Sequence, residues 1–180
     1  MTESPFAVDW RGKLQCDIVT AYTRDGEVLD AIGCARRIHL AIMREPWASY
    51  IADGSKRVES RWGKVRCAPH DAIDAGDIVV WKRAGGPVYG VSCVAAARTK
   101  YLYSDSDVAA HVARHAAALC IKIDATPYLG KRLLTLVHLG PFRALPAKTV
   151  VRCEKRDRSG WAVVLDAGLF RAAIAKGGKS

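Results

Sequence analysis

Gly54-Ser55-Lys56-Arg57-Val58-Glu59-Ser60-Arg61 fits the pattern G-x-K-x-x-E-x-R, a glycine turn feeding polar side chains into one short strand. Lys56 supplies a mobile point charge and Arg61 a planar fork of donors, while Glu59 is an acceptor that can orient either or take a proton. Strand alternation puts Arg57, Glu59 and Arg61 on one face and Val58, Ser60 and Trp62 on the other. Lys56 has the wrong parity for the first group. It joins Glu59 and Arg61 only if it lies in the turn, before regular pleating begins, and Gly54-Ser55 provides that turn. Such a cluster can hold a phosphate, a nucleobase edge or an amide.

Upstream, Ile38 to Ile42 reads as a strand and is followed by a short helix, with Pro46 at its start and Gly54 just past its end. Trp47, Tyr50 and Ile51 then fall at i, i+3 and i+4 and are expected to share a face. Downstream, residues 62–75 look irregular, and strands over 77–83 and 88–97 flank the hairpin signal Ala84-Gly85-Gly86-Pro87. Ser104 to Asp107 offers capping chemistry for a helix reaching Cys120, with Val108, Val112 and Leu119 on its buried face. A shorter helix is expected over 125–132, and a strand from Leu133 to Leu139 that Gly140-Pro141 should end. The last strands are expected at 149–155 and 160–165, then a short helix over 167–175 and a frayed tail. Short strands interrupted by a few helices indicate an α+β domain built on a small barrel.

At 180 residues the chain suits one domain: an extension over 1–35, a core domain over 36–166, and a C-terminal helix and tail over 167–180. Half the residues are hydrophobic, which excludes wholesale disorder. A formal charge of +10 makes polyanions the first partners to consider. The six cysteines are scattered and form no C-x-x-C pair, so they read as reduced, mostly buried thiols. With no signal-like start and no span of membrane length, a cytoplasmic location is expected.

These segments, in this order, resemble the ASCH family (activating signal cointegrator homology), within the PUA-like superfamily of small β-barrels associated with RNA. The resemblance rests on Arg37 to Ile42, on Glu45-Pro46-Trp47 with the helix to Ile51, and on the G-x-K-x-x-E-x-R motif. Gly76-Asp77 opening an apolar strand and Gly90 in the next strand extend it over roughly residues 37–165. It implies a cleft lined by Tyr50, Lys56, Glu59 and Arg61 that binds RNA or a nucleotide, with DNA a possible alternative and no cofactor or metal. Some family members resemble metal-independent nucleases that use a tyrosine and lysine arranged as Tyr50 and Lys56 are here, so Lys56, Glu59 and Tyr50 are the catalytic candidates if the protein is an enzyme. Another branch deacylates modified cytidine with the motif lysine, a threonine three residues on and a downstream glutamate. Here Glu59 stands at the threonine position and Arg98-Thr99-Lys100-Tyr101 supplies no glutamate, which departs from that chemistry.

Lys56, Arg61, Arg57, Arg98, Lys100, Arg156 and Arg158 are the candidate nucleic-acid contacts; Arg152 and Lys155 lie beside the last two, near Trp161. Gathered around one mouth, they would track a phosphate backbone. His111 and His115 are four apart on the expected helix, a spacing that can clip a metal, but with no further paired ligand they read as solvated histidines.

Overall fold

A run of β-branched and apolar residues with no alternation is what a doubly covered strand requires, and Ile38, His39, Leu40 and Ala41 are all buried in β1 (Arg37–Met43). The computed structural model describes residues 37–145 and 160–166. After β1 come α1 (Trp47–Ala52), β2 (Val58–Gly63), β3 (Ile78–Arg83), β4 (Val88–Tyr101), α2 (Asp105–Leu119), β5 (Leu133–Ala144) and β6 (Trp161–Asp166). One six-stranded sheet runs β2-β5-β4-β3-β1-β6, with β1 parallel to β3 and the other pairs antiparallel. The sheet curls into a half-barrel whose edges, β2 and β6, face each other without a ladder between them among the described residues.

The inner face of the curl is filled by Val79, Trp81, Val94, Val137 and Trp161, against which Ala48 and Ile51 of α1 pack. The outer face of β2 and β5 is covered by α2, whose Val108 and Leu119 meet Val58, Leu134 and Leu136. Each such side chain contributes about 1.5–3 kcal/mol on burial. Ser104 starts α2 as expected: its hydroxyl accepts from the Asp107 N–H at 3.1 Å and the Asp107 carboxylate accepts from the Ser104 N–H at 3.1 Å. Ala84 to Pro87 joins β3 to β4, also as expected.

Several boundaries differ from the sequence reading. β4 continues through Arg98 and Lys100 to Tyr101, since β5 supplies a partner for each of those residues. β5 in turn runs through Gly140-Pro141, because the register passes from Ser92↔Phe142 to Val94↔Leu139 and sets Cys93 opposite both residues in a bulge. A bulge leaves its extra residue out of the ladder, so a proline is tolerated there. The helix expected over 125–132 is only a 3-10 turn, Thr126–Tyr128, cut short by the left-handed Gly130 (φ 74°). Cys67, in the irregular segment between β2 and β3, and Cys93 are exposed rather than buried; in β4 it is Ser92 that takes the inward position beside Cys93, accepting from Trp81 Nε1 at 3.1 Å. The extension over 1–35, the strand expected at 149–155 with Arg152, Lys155, Arg156 and Arg158, and the helix over 167–175 lie outside the described residues. No helix among the described residues is long and apolar enough to cross a membrane.

Candidate functional site

The turn after α1 decides where the motif lysine goes. Gly54 is left-handed (φ 79°), and the Lys56 N–H then donates to the Tyr50 carbonyl at 2.8 Å. Regular pleating starts only at Val58. Lys56 is thereby freed from strand parity and turns inward, as the sequence requires for a cluster. Its ammonium donates to the Leu119 carbonyl at 2.6 Å and lies 3.4 Å from Glu59 Oε2. Arg61 Nε sits 2.9 Å from Glu59 Oε1. That contact is an ion pair without the alignment of a hydrogen bond, and Arg61 Nε has no hydrogen-bond partner.

Lys56 is 3% exposed and Glu59 5%, so the cluster is a buried one, held by mutual neutralisation. Desolvation pushes the Lys56 pKa below the ordinary 10.5, and the Glu59 carboxylate opposes that shift without cancelling it. Arg61 also donates to Met43 Sδ at 3.1 Å and lies 5.0 Å from the centroid of the Trp161 ring, a cation–π contact. Arg61 thus crosses the seam from β2 to β6. Gly160, just before β6, makes room for it: a Cβ there would lie 2.7 Å from Arg61 Nη1.

At this seam opens a cleft of about 460 Å³, with Lys56, Glu59 and Arg61 among its lining. Trp47, Trp62 and Tyr128 provide aromatic walls, and Arg44 and Ser60 polar ones. The Trp62 and Tyr128 rings are 4.8 Å apart at 36°, and Trp62 Nε1 donates to Ser60 Oγ at 3.1 Å. Burial pushes the Tyr128 hydroxyl above its ordinary pKa of 10.0. The cluster carries one net positive charge, so the cleft combines an anion-favouring floor with flat apolar faces. A planar ring bearing a phosphate satisfies both.

Not every candidate residue reaches the cleft. Tyr50 is exposed and absent from the lining; it serves through its main-chain carbonyl, and its ring does not join Trp47 and Ile51 on a common buried face. Arg57 is exposed too, pairs with the Gly54 carbonyl at 3.4 Å, and lines a separate groove of about 350 Å³ on the far side of Lys56. Arg98 and Lys100 stand on the outer face of β4, in register with Leu136 and Leu134. There the Lys100 ammonium donates to His111 Nε2 at 3.3 Å, and His111 Nδ1–H donates to the Asp107 carbonyl at 2.9 Å. The His111 and His115 rings are 6.0 Å apart, and among the described residues no three potential metal ligands gather.

Trp62, Tyr128, Met43 and Gly160 were not legible as site residues. Trp62 does belong to the opposite strand face, but β2 is an edge strand, so its outer side chains also border the seam. Tyr128 arrives from the turn after α2, and only its aromatic character beside Pro127 distinguished it.

No family model matches the chain, and no curated protein does. Among solved structures, the ASCH protein of Zymomonas mobilis superposes with a TM-score of 0.58 at 14% identity, covering 78% of this chain and 95% of that one. A single-residue variant of it gives a TM-score of 0.57 at 12% identity over 78% of this chain and 96% of the other. A second variant gives 0.57 at 14% over 77% and 97%. The half-barrel is therefore the ASCH fold, as the order of motifs implied.

Proposed function

We propose that this protein binds RNA, or a nucleotide unit of it, in the seam cleft, with Lys56, Glu59 and Arg61 as its polar floor. The observation that carries the reading is the buried Lys56–Glu59–Arg61 cluster beneath aromatic walls in a cleft large enough for a nucleotide. Arg61 lines the cleft and takes the phosphate or a base edge with its guanidinium; Trp62 and Tyr128 offer stacking faces. The +10 charge of the chain draws the polyanion in, and Arg57, Arg98 and Lys100 meet backbone phosphates outside the cleft; Arg156 and Arg158 add to the charge that attracts them. DNA is the weaker competitor in this reading. A cytoplasmic setting belongs to it as well, since the free thiols of Cys67, Cys93 and Cys120 suit a reducing compartment.

The depressed pKa of Lys56 favours a second reading, in which the same cleft hydrolyses RNA or a modified nucleoside with Lys56 as base and Glu59 as its partner. Tyr50 has no part in that version, because its ring does not line the cleft. Titration of the purified protein with ribonucleoside monophosphates and short RNAs, wild type against Arg61→Lys, tests binding, and product analysis of the same mixtures tests turnover. Binding that is lost in the variant with no product formed supports the first reading; product formed by the wild type alone supports the second. Binding that ignores Arg61→Lys sinks both.

A further inference from the structure

A second, smaller cavity of about 180 Å³ adjoins the cleft and shares Arg61, Trp62 and Gly160 with it. His70 and Thr135 supply its polar side, the Trp161 ring an aromatic wall, and the exposed Cys67 its rim. His70 Nε2 is one of four side-chain polar atoms among the described residues that are buried without a hydrogen-bond partner, and His70 lines this chamber. Buried polar atoms are almost always paired. An unmade hydrogen bond at His70 beside so small a space points to an occupant with a polar atom of its own.

His70 is held in place on its other side. Its Nδ1 lies 3.4 Å from Thr135 Oγ1, and its ring meets the Tyr101 ring edge-on with centroids 5.2 Å apart. The Asp71 carboxylate is 3.6 Å from Nε2, beyond hydrogen-bond reach, and is taken by Arg66 at 2.6 Å. Nε2 is thus fixed in position and still unpaired. An imidazole nitrogen can donate or accept according to tautomer, which suits the edge of a heterocycle. The chamber is well below the roughly 300–1,000 Å³ of sites for drug-sized ligands and matches a single ring system.

We propose that the site takes two consecutive nucleotides of RNA: one in the main cleft, and the base of its neighbour in the His70 chamber, with the phosphodiester between them at Arg61. This rests on the proposed function of the cleft. His70 Nε2 reads the edge of the second base while Trp62 or Trp161 contacts its face. The structure assigns His70 a specificity role, and the shared Arg61 sets the spacing of the two bases.

The experiment compares ribonucleoside monophosphates with the corresponding dinucleoside monophosphates by calorimetry, on wild type and on His70→Phe, with mass-spectrometric mapping of Cys67 alkylation in parallel. One added stacked base should tighten wild-type binding about tenfold. His70→Phe should remove most of that gain and leave mononucleotide affinity unchanged. In the wild type, dinucleotides should slow alkylation of Cys67 whereas mononucleotides should not, a readout that needs no substitution in the core. Mononucleotide binding with no dinucleotide gain and no Cys67 protection overturns the second chamber while the cleft reading stands. Absence of mononucleotide binding in the wild type overturns the cleft reading itself.

Discussion

Lys56 Nζ donates to the main-chain carbonyl of Leu119, the last residue of α2, at 2.6 Å. The carbonyls at a helix C-terminus lack intrahelical partners and carry partial negative charge, so a buried ammonium is favoured there. The motif lysine is thereby a structural bond between the β2 turn and α2 as well as a wall of the cleft.

Replacing Lys56 therefore affects folding as well as binding. Lys56→Ala leaves Glu59 with one cationic partner and the Leu119 carbonyl with none, and a broken buried pair costs about 3–5 kcal/mol. Urea denaturation should show a loss of at least about 2 kcal/mol. A loss under about 0.5 kcal/mol, the scale of an exposed pair, would contradict the buried geometry.

Arg61→Lys tests binding with less damage to the fold. Lysine keeps the charge but not the fork that meets Glu59, Met43 and the Trp161 ring. Affinity for short RNA should fall about tenfold, equivalent to roughly 1.4 kcal/mol. An unchanged dissociation constant would overturn the seam cleft as the binding site.

Gly160→Ala probes the same guanidinium from β6. The added methyl would stand 2.7 Å from Arg61 Nη1, the far end of a flexible side chain, so the guanidinium gives way and the backbone does not. RNA affinity should drop several-fold while stability changes by less than about 1 kcal/mol. Gly90→Ala makes the contrasting case, because its methyl would meet the Arg143 carbonyl at 2.7 Å and the Phe142 ring. Overpacking of that kind costs about 1–3 kcal/mol or more, visible as a lowered melting temperature with the cleft chemistry untouched.

Tyr89 carries a buried hydroxyl with no hydrogen-bond partner, and burial raises its pKa above the ordinary 10.0. Folded Tyr89 holds its proton where the unfolded chain loses it. Stability from this group is fully present below pH 10 and is lost as pH rises above that value. Tyr89→Phe should raise stability at pH 7 by about 1 kcal/mol, by deleting an unpaired polar group, and should lose less than wild type between pH 10 and 11. Equal alkaline slopes for the two proteins in chemical denaturation would refute the assignment.

The sequence by itself settled what is local. Gly54 and Ser55 made the turn that lets Lys56 escape strand parity, Ser104 and Asp107 closed the capping box of α2, and Ala84 to Pro87 joined β3 to β4. These features depend on a few neighbouring residues whose backbone preferences act wherever the chain goes. The grouping of Lys56, Glu59 and Arg61 was legible for the same reason. Tertiary structure alone decided what surrounds them. Curling of the sheet brought Trp161 and Gly160 of one edge against Arg61 of the other, turned Tyr50 to solvent, and gathered Trp62, Tyr128 and His70 around the seam. Those contacts join residues up to a hundred positions apart, and their positions follow from strand order, twist and bulges summed over the whole sheet. No short segment encodes that sum.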